Sequence, residues 1–469
     1  MDSPLQAFVP PAPVPRRREA VPGFLEIVRT MQRNPLELWG EPSYEDRWIH
    51  TGFFNERTVI VNDPGVIRHV LVDNAKNYRM ATIRQLILRP ILRDGLLTAE
   101  GPVWKRSRKA MAPVFTPRHI HGFAQTMLER TKSFAERYEA APGARHDIAA
   151  DMTDLTFDIL SQTLFSGDIV TATDDFAGDV ENLLHTMGRV DPLDLLKAPR
   201  WIPRPTRLNG NRVMAKFRGI VEDTLRRRRQ RIASGEDVPD DFLTLLLRQE
   251  GPDGLSADEI SDNIITFIGA GHETTSRALG WTLYCLANAA EDRDLVEAEI
   301  DEFLARDTLP PAHEWHTALP KTRAAFEEAM RLYPPAPSIN RAALADDRFG
   351  DCVIPAGVTV LIMPWTLHRH KLLWDKPNAF VPSRFWPENR DAIDRYQYLP
   401  FGVGPRICIG MGFALQEAVI ALAVLLSRFR FDVTDDCRPW PVQKLTTQPQ
   451  GGLPMTVTPR NRTARAASA

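Results

Sequence analysis

The sequence predicts a mainly α (α+β) protein, a helical body carrying a small β subdomain, and three stretches carry that prediction. Ser256-Ala257-Asp258-Glu259 has the spacing of a capping box, in which serine caps a helix start and glutamate reaches back, and a helix from there can run about thirty residues. Phe413-Ala414-Leu415-Gln416-Glu417-Ala418-Val419-Ile420-Ala421-Leu422 reads as a second, strongly apolar helix. Between Arg47 and Val72, Thr58-Val59-Ile60-Val61 reads as a strand, followed by Asp63-Pro64 and a short helix.

Composition sets the broad class. The chain has 469 residues, 43% hydrophobic and 25% charged, with a formal net charge of −2. Near-neutral charge argues against nucleic acid as the main partner. Four cysteines without paired spacing make no disulfide framework and fit a reducing, cytoplasmic compartment. Met1 to Gly23 is rich in proline, carries Arg16-Arg17-Arg18, and lacks the apolar core of a signal peptide or membrane anchor. The longest apolar run, Ala418 to Leu426, is too short to span a bilayer. The expected organisation is a tail over 1–23, one domain over 24–458 and a polar, frayed tail over 459–469.

In chain order, Tyr78 to Ala99 is apolar and irregular, which reads as core packing. In Trp104-Lys105-Arg106-Ser107-Arg108-Lys109, a helix puts Trp104 and Arg108 on one face; taken alone this is a basic, solvated helix with one packed tryptophan. Amphipathic helices follow from about Arg118 to Phe165, then proline breaks at Asp191-Pro192, Ala198-Pro199 and Ile202-Pro203-Arg204-Pro205. Arg226 to Arg229 reads as a solvated helix face. Inside the capped helix lies Gly269-Ala270-Gly271-His272-Glu273-Thr274-Thr275. Glycine and threonine are poor helix formers, and a threonine hydroxyl on a carbonyl one turn back bends a helix and frees a groove for a small molecule. Pro320 can open and Pro334 end a helix that carries Glu328 and Arg331 on one face. Ser338 to Arg341 and Leu367 to His370 read as strands, and Gln448 to Pro454 as a turn between strands.

The chemistry centres on Phe401-Gly402-Val403-Gly404-Pro405-Arg406-Ile407-Cys408-Ile409-Gly410. A cysteine at a helix start meets free N–H groups and the positive end of the dipole, which favour the metal-binding thiolate. Gly404 and Gly410 permit backbone conformations or close approaches that a side chain forbids. Arg406 offers a cationic fork for a carboxylate. A thiolate, a carboxylate partner and room for a flat ligand together suggest haem. Cys285, Cys352 and Cys437 read as small buried hydrophobes.

The pattern Phe-x-x-Gly-x-Arg-x-Cys-x-Gly resembles the haem-binding loop of the cytochrome P-450 family, whose iron is held by cysteine thiolate. Three more motifs match in order: Trp-x-x-x-Arg at 104–108, Gly-Gly-type residues before Glu-Thr-Thr at 269–275, and Glu-x-x-Arg at 328–331 with Arg384 in Phe380-Val381-Pro382-Ser383-Arg384-Phe385. Ser383 stands where the family usually has glutamate. The resemblance implies haem b ligated by Cys408, with Phe401, Arg406 and Gly410 around it. It implies propionates held by Trp104 and Arg108, with His368 and Arg341 nearby, and the oxygen site lined by Ala270 and Gly271. Glu273 and Thr274 would deliver protons, His272 would be structural or solvent-facing, and Glu328, Arg331 and Arg384 would form a buried network behind the loop. The residues between 78 and 99 and the tip of the 448–454 turn would touch substrate, and the proline-broken region would be a lid.

The implied activity is a monooxygenase that inserts one oxygen atom from O2 into a hydrophobic small molecule, such as a fatty acid, terpenoid, steroid or aromatic compound. Electrons would come from NAD(P)H only indirectly, through a ferredoxin or flavodoxin with its reductase, docked over the outward Lys105, Arg106 and Lys109. The alternatives are a peroxide-driven or non-oxygenase haem-thiolate enzyme, and a non-catalytic haem sensor. Glu273 and Thr274 argue against the first, and the apolar distal segments against the second.

Overall fold

The computed structural model describes residues 7–20, 22–53, 56–169, 205–252 and 254–460. Asp191-Pro192 and Ala198-Pro199, expected to frame a lid, lie outside the described residues, as does most of Ile202 to Pro205. Helices α1 (Phe24–Arg33) and α2 (Pro42–Glu45) precede strands β1 (Trp48–Phe53) and β2 (Glu56–Val61), so the expected strand at 58–61 is present. Asp63 caps α3 (Pro64–Arg68) by accepting from the N–H groups of Gly65 and Val66. The stretch expected to be irregular is ordered instead: β3 (Tyr78–Met80) leads into α4 (Thr82–Leu92), which tolerates Pro90 near its C-terminal end.

Helices α5 (Gly101–Met111), α6 (Pro117–Glu139) and α7 (Ile148–Phe165) follow, with β4 (Arg145–Asp147) between the last two. Then come α8 (Pro205–Ala233) and α9 (Phe242–Leu247). The expected solvated face at Arg226–Arg229 is a half-truth. Four consecutive helical residues cannot all face outward, and Arg228 is fully buried, donating to Asp168 at 2.6 Å and Asp241 at 2.8 Å.

The long helix α10 (Ala257–Asn288) starts at the expected capping box: Ser256 accepts from the Glu259 N–H, and Glu259 accepts from the Ser256 N–H. Both faces of α10 are buried, because α7, α8, α4 and the helices behind it surround it. The turn after α4 lies directly on it. A Cβ at Gly95 would stand 2.0 Å from Thr266 Oγ1 and 2.6 Å from the Asp262 carbonyl oxygen. Asp262 also takes a buried ion pair from Arg218 of α8 at 2.7 Å.

Behind α10 come α11 (Ala290–Leu304), α12 (Trp315–Ala318) and α13 (Pro320–Leu332). Strands β5 (Ile339–Ala343), β6 (Asp347–Phe349), β7 (Cys352–Ile354) and β8 (Thr359–Ile362) follow. The main sheet has the order β1-β2-β8-β5-β3, parallel only between β2 and β8. The strand expected at Leu367 to His370 does not form; the chain there is the end of a short helix, α14 (Pro364–Leu367), and a turn. The last helix, α15 (Met411–Arg428), is by length and composition apolar enough to cross a membrane, yet its residues from Gln416 to Ser427 are buried in the core.

Strands β9 (Phe429–Val433), β10 (Trp440–Gln443), β11 (Thr447–Gln450) and β12 (Pro454–Pro459) complete the chain. The β10–β11 hairpin turns at 444–446; the turn expected within Gln448 to Pro454 is the short link at 451–453 between β11 and β12, with Gln448 to Gln450 on β11 itself. Residues 8–18 are not a loose tail. Pro11 accepts from the Tyr333 hydroxyl, Phe8 from the Phe380 N–H, and Arg16 pairs with Glu26.

Candidate active site

The cysteine loop is bent by glycines and held from behind. Gly402 and Gly404 have φ of +67° and +77°, a region costly for residues with a Cβ. A Cβ at Gly404 would also stand 2.0 Å from the Leu71 carbonyl oxygen, so the small subdomain touches the loop backbone there. Gly410 differs from expectation: its φ is −89°, and a Cβ would meet Phe115 and Cys408 Sγ only at ordinary distances. The Cys408 N–H donates to the Phe401 carbonyl at 2.9 Å, which closes the loop. Cys408 keeps exposed surface on the open side of its loop. The chain packed around it still raises the thiol above its usual range, and the Gly410 N–H and Arg108 pull it back only in part, so the helix-start effect is present but outweighed; a bound metal ion would complete the ionisation.

Beside the loop, basic side chains gather. Arg108 Nη1 donates to the Ile407 carbonyl at 3.0 Å, and the Arg406 guanidinium lies 4.6 Å from the Trp104 ring centroid. Arg341 and Arg84 complete the group; desolvation, with Arg84 and Arg406 close by, lowers Arg341 to about 10. One carboxylate, Glu100, sits 3.8 Å from Arg406, and Arg406 Nη1 is buried without a hydrogen-bond partner among the described residues. Enclosing four cations around one anion is unfavourable unless a ligand brings negative charge. The donor set therefore fits a flat ligand bearing two carboxylates above a thiol, which is what haem presents.

Arg84 escaped the sequence reading. It sits in an apolar stretch, and its only signal was a cation on the face of α4 that carries Ile83 and Ile87. His368 is the reverse case. It is fully buried, its Nε2 accepts from the Leu399 N–H at 2.8 Å, and its carbonyl accepts from Arg331 at 2.6 Å. Burial next to Arg331 and Arg369 holds its pKa well below the usual value. It braces the chain leading into the cysteine loop and does not join the arginine group as expected.

The network behind the loop matches its expected membership. Arg331 donates to Glu328 at 2.7 and 2.8 Å, Arg384 lies 3.5 Å from the same carboxylate, and the Val381 N–H donates to it at 2.8 Å. Arg331 also donates to the carbonyls of His368, Pro377 and Ala379.

On α10, Gly269, Ala270, Gly271 and Thr274 keep accessible surface while nearly all their neighbours on the helix are buried. Thr274 Oγ1 donates to the Ala270 carbonyl at 2.8 Å and Thr275 Oγ1 to that of Gly271 at 3.4 Å, as expected for back-bonding, although the helix runs unbroken through this turn. Gly271 serves helix packing: a Cβ there would meet Leu160 of α7 at 2.7 Å. His272 is buried, with Nδ1 at 2.6 Å from the Ile268 carbonyl, so it is structural and not solvent-facing. Glu273 is buried, and its Oε1 accepts from Thr446 Oγ1 and Gln448 Nε2, both at 2.7 Å. An aromatic pair joins this helix to the loop, since Phe115 approaches Gly410 and stacks on Phe267 at 5.2 Å.

The family model described as Cytochrome P450 matches residues 48–455. A cytokinin hydroxylase of Arabidopsis thaliana is 32% identical over 78% of this chain and 72% of its own length. The cyclooctat-9-en-7-ol 5-monooxygenase of Streptomyces melanosporofaciens is 29% identical over 98% of both chains. The crystal structure of the cytochrome P450DA heme domain superposes with a TM-score of 0.77 at 25% identity, covering 97% of this chain and 98% of that one. A thiol loop braced from behind, an arginine group suited to carboxylates and a family match across nearly the whole fold have one reading: the chain belongs to the cytochrome P450 family and is a monooxygenase of that family.

Proposed function

We propose that this monooxygenase binds haem b through Cys408 and hydroxylates an apolar small molecule of the fatty-acid, terpenoid, steroid or aromatic type, with electrons from a separate ferredoxin or flavodoxin system. The observation that carries the reading is Cys408 beside a group of four arginines that share one carboxylate. When bound, haem supplies the activation of dioxygen and the transfer of one oxygen atom to substrate. Cys408 would hold the haem iron, and its thiolate would tune the chemistry the cofactor supplies. Arg84, Arg108, Arg341 and Arg406 would hold the propionates, with Trp104 supporting Arg406 by its ring face.

Ala270 and Gly269 leave open backbone surface on α10, and Thr274 holds a hydroxyl proton at that surface, donated to the Ala270 carbonyl in the resting arrangement. Glu273 places a carboxyl group one residue away. The turn at Gly95, pressed on α10, helps exclude water from the same side. Lys105 and Lys109 are exposed on α5, whose Arg108 reaches the cysteine loop, and this supports docking of an acidic donor there; Arg106 is partly engaged by Glu259 at 2.7 Å. The four cysteines are all free, in keeping with a cytoplasmic setting, and NAD(P)H serves only through the donor's reductase.

The test is spectroscopic. Reduced protein under carbon monoxide should show the red-shifted Soret band of a thiolate haem, and Cys408→Ala should lose it; retention of that band in the variant refutes the ligand assignment. A screen of haem spin state against the four compound classes then selects the substrate type.

A further inference from the structure

Glu273 does not hang free beside the accessible face of α10. Its side chain is 2% exposed, and Oε1 accepts two hydrogen bonds, from Thr446 Oγ1 and Gln448 Nε2, each at 2.7 Å. Both donors are about 5% exposed, and Gln448 Nε2 also lies 3.4 Å from Thr446 Oγ1, so the three groups form one closed set. The other oxygen, Oε2, is buried with no hydrogen-bond partner among the described residues. The donors come from far along the chain: Thr446 ends the turn between β10 and β11, and Gln448 lies on β11. The position is fixed independently of Glu273, because the Thr447 hydroxyl between them donates to the Pro334 carbonyl at 2.7 Å and the Thr447 N–H to that of Pro335 at 3.1 Å.

A carboxyl group with two donors on one oxygen is held against rotation, and that oxygen is occupied. A proton then arrives at and leaves from the other. We propose that Thr446 and Gln448 are positioning residues for proton delivery, anchoring Glu273 by Oε1 so that Oε2 is the oxygen that exchanges protons near Thr274. This rests on the monooxygenase reading above and on Glu273 as its acid. The hairpin thereby has a function beyond packing: any movement of its turn that lengthens either bond frees the carboxylate to rotate.

The variants Thr446→Val and Gln448→Met keep volume and remove one donor each; Thr446→Ser restores a donor. In the holoenzyme, the infrared carboxylate band of Glu273, identified by its absence in Glu273→Gln, should shift in Thr446→Val and Gln448→Met and return in Thr446→Ser. Product formed per electron supplied should fall about 10-fold in each donorless variant, less than the roughly 100-fold or more that loss of a positioned acid costs because Glu273 itself remains, with the shortfall released as peroxide and a larger solvent isotope effect on turnover. Turnover driven by iodosylbenzene, an oxygen-atom donor that needs no proton, should stay within about twofold of wild type, which separates positioning from general damage to the fold. An unmoved carboxylate band, or normal coupling in both donorless variants, overturns the proposal. Absence of the thiolate-type carbon monoxide band in the wild type would instead overturn the reading on which it rests.

Discussion

Two groups of arginines lie around the cysteine loop, one behind it and one beside it, and they have opposite electrostatics. Around Glu328, each charge is answered within the protein: the carboxylate takes Arg331, Arg384 and the Val381 N–H, and Arg331 spends its remaining donors on three carbonyls. Around Arg406, four guanidiniums share one carboxylate among the described residues, Glu100, and beyond it Arg84, Arg108 and Arg341 each reach a backbone carbonyl. A closed charge network is scaffold, since opening it costs the desolvation of each member. An open one is a binding site, because its cost is recovered only when an anion arrives. The same residue type, fully buried at Arg331 and half-buried at Arg406, thus takes two roles that the balance of partners separates.

The comparison breaks most visibly at Glu328. Glu328→Gln leaves Arg331 and Arg384 without their anion, and the loss should be about 3–5 kcal/mol of stability, read from denaturant midpoints. Replacing Glu328 and Arg331 together by methionines should not recover it fully, because three backbone carbonyls then lose their donor. In the open group the expected result is different. Arg341→Leu removes a cation that repels its neighbours, so the folded chain should keep its far-ultraviolet spectrum. Haem should be retained about 10–100-fold less tightly, the worth of one charge-assisted hydrogen bond, as measured by transfer to apomyoglobin.

His368 sharpens the contrast through pH. Its folded pKa is well below its unfolded value of about 6.5, so below that pH the unfolded chain binds a proton that the folded chain does not. Its contribution to stability is thus present above about pH 6.5 and lost as pH falls, by up to about 1.4 kcal/mol per unit. Urea midpoints taken between about pH 7.5 and 5.5 should decline less steeply in His368→Gln. The smallest effect on stability belongs to charges that are neither closed nor enclosed. Converting Lys105 and Lys109 to glutamate should change stability by no more than about 0.5 kcal/mol. Reduction by the natural donor should nevertheless slow, and in wild type it should slow as salt rises, because screening acts over about 10 Å at 0.1 M.

What could be read from the sequence was what neighbouring residues decide among themselves. The capping box at Ser256, the 32-residue helix behind it and the glycine-bent cysteine loop are local spacings, and they appear where expected. Which way a side chain turns depends on what packs against it from afar. Arg228 looked solvated in a run of arginines, but Asp168 and Asp241 meet it from elements 60 and 13 residues away. His368 looked like a propionate contact, but Leu399 and Arg331 claim it. Arg84 was missed because its partners, Arg341 and Arg406, are brought to it by a strand and a loop far along the chain. Glu273 was found as a member of a motif, while the two residues that hold it belong to no local pattern.

The N-terminal strap has a consequence for how the chain comes to be made. The Asn34 side chain donates to the carbonyl of Pro441, 407 residues later, and Pro11 accepts from Tyr333, 322 residues later. At about 5–20 residues per second, a ribosome needs about 20–80 s to reach the first of these partners after Asn34 has emerged. For that interval residues 8–34 have only their near partners, such as Glu37 for Arg16 and Asp46 for Arg18, and lack those at Tyr333, Phe380 and Pro441. Their docking therefore waits for the last third of the chain.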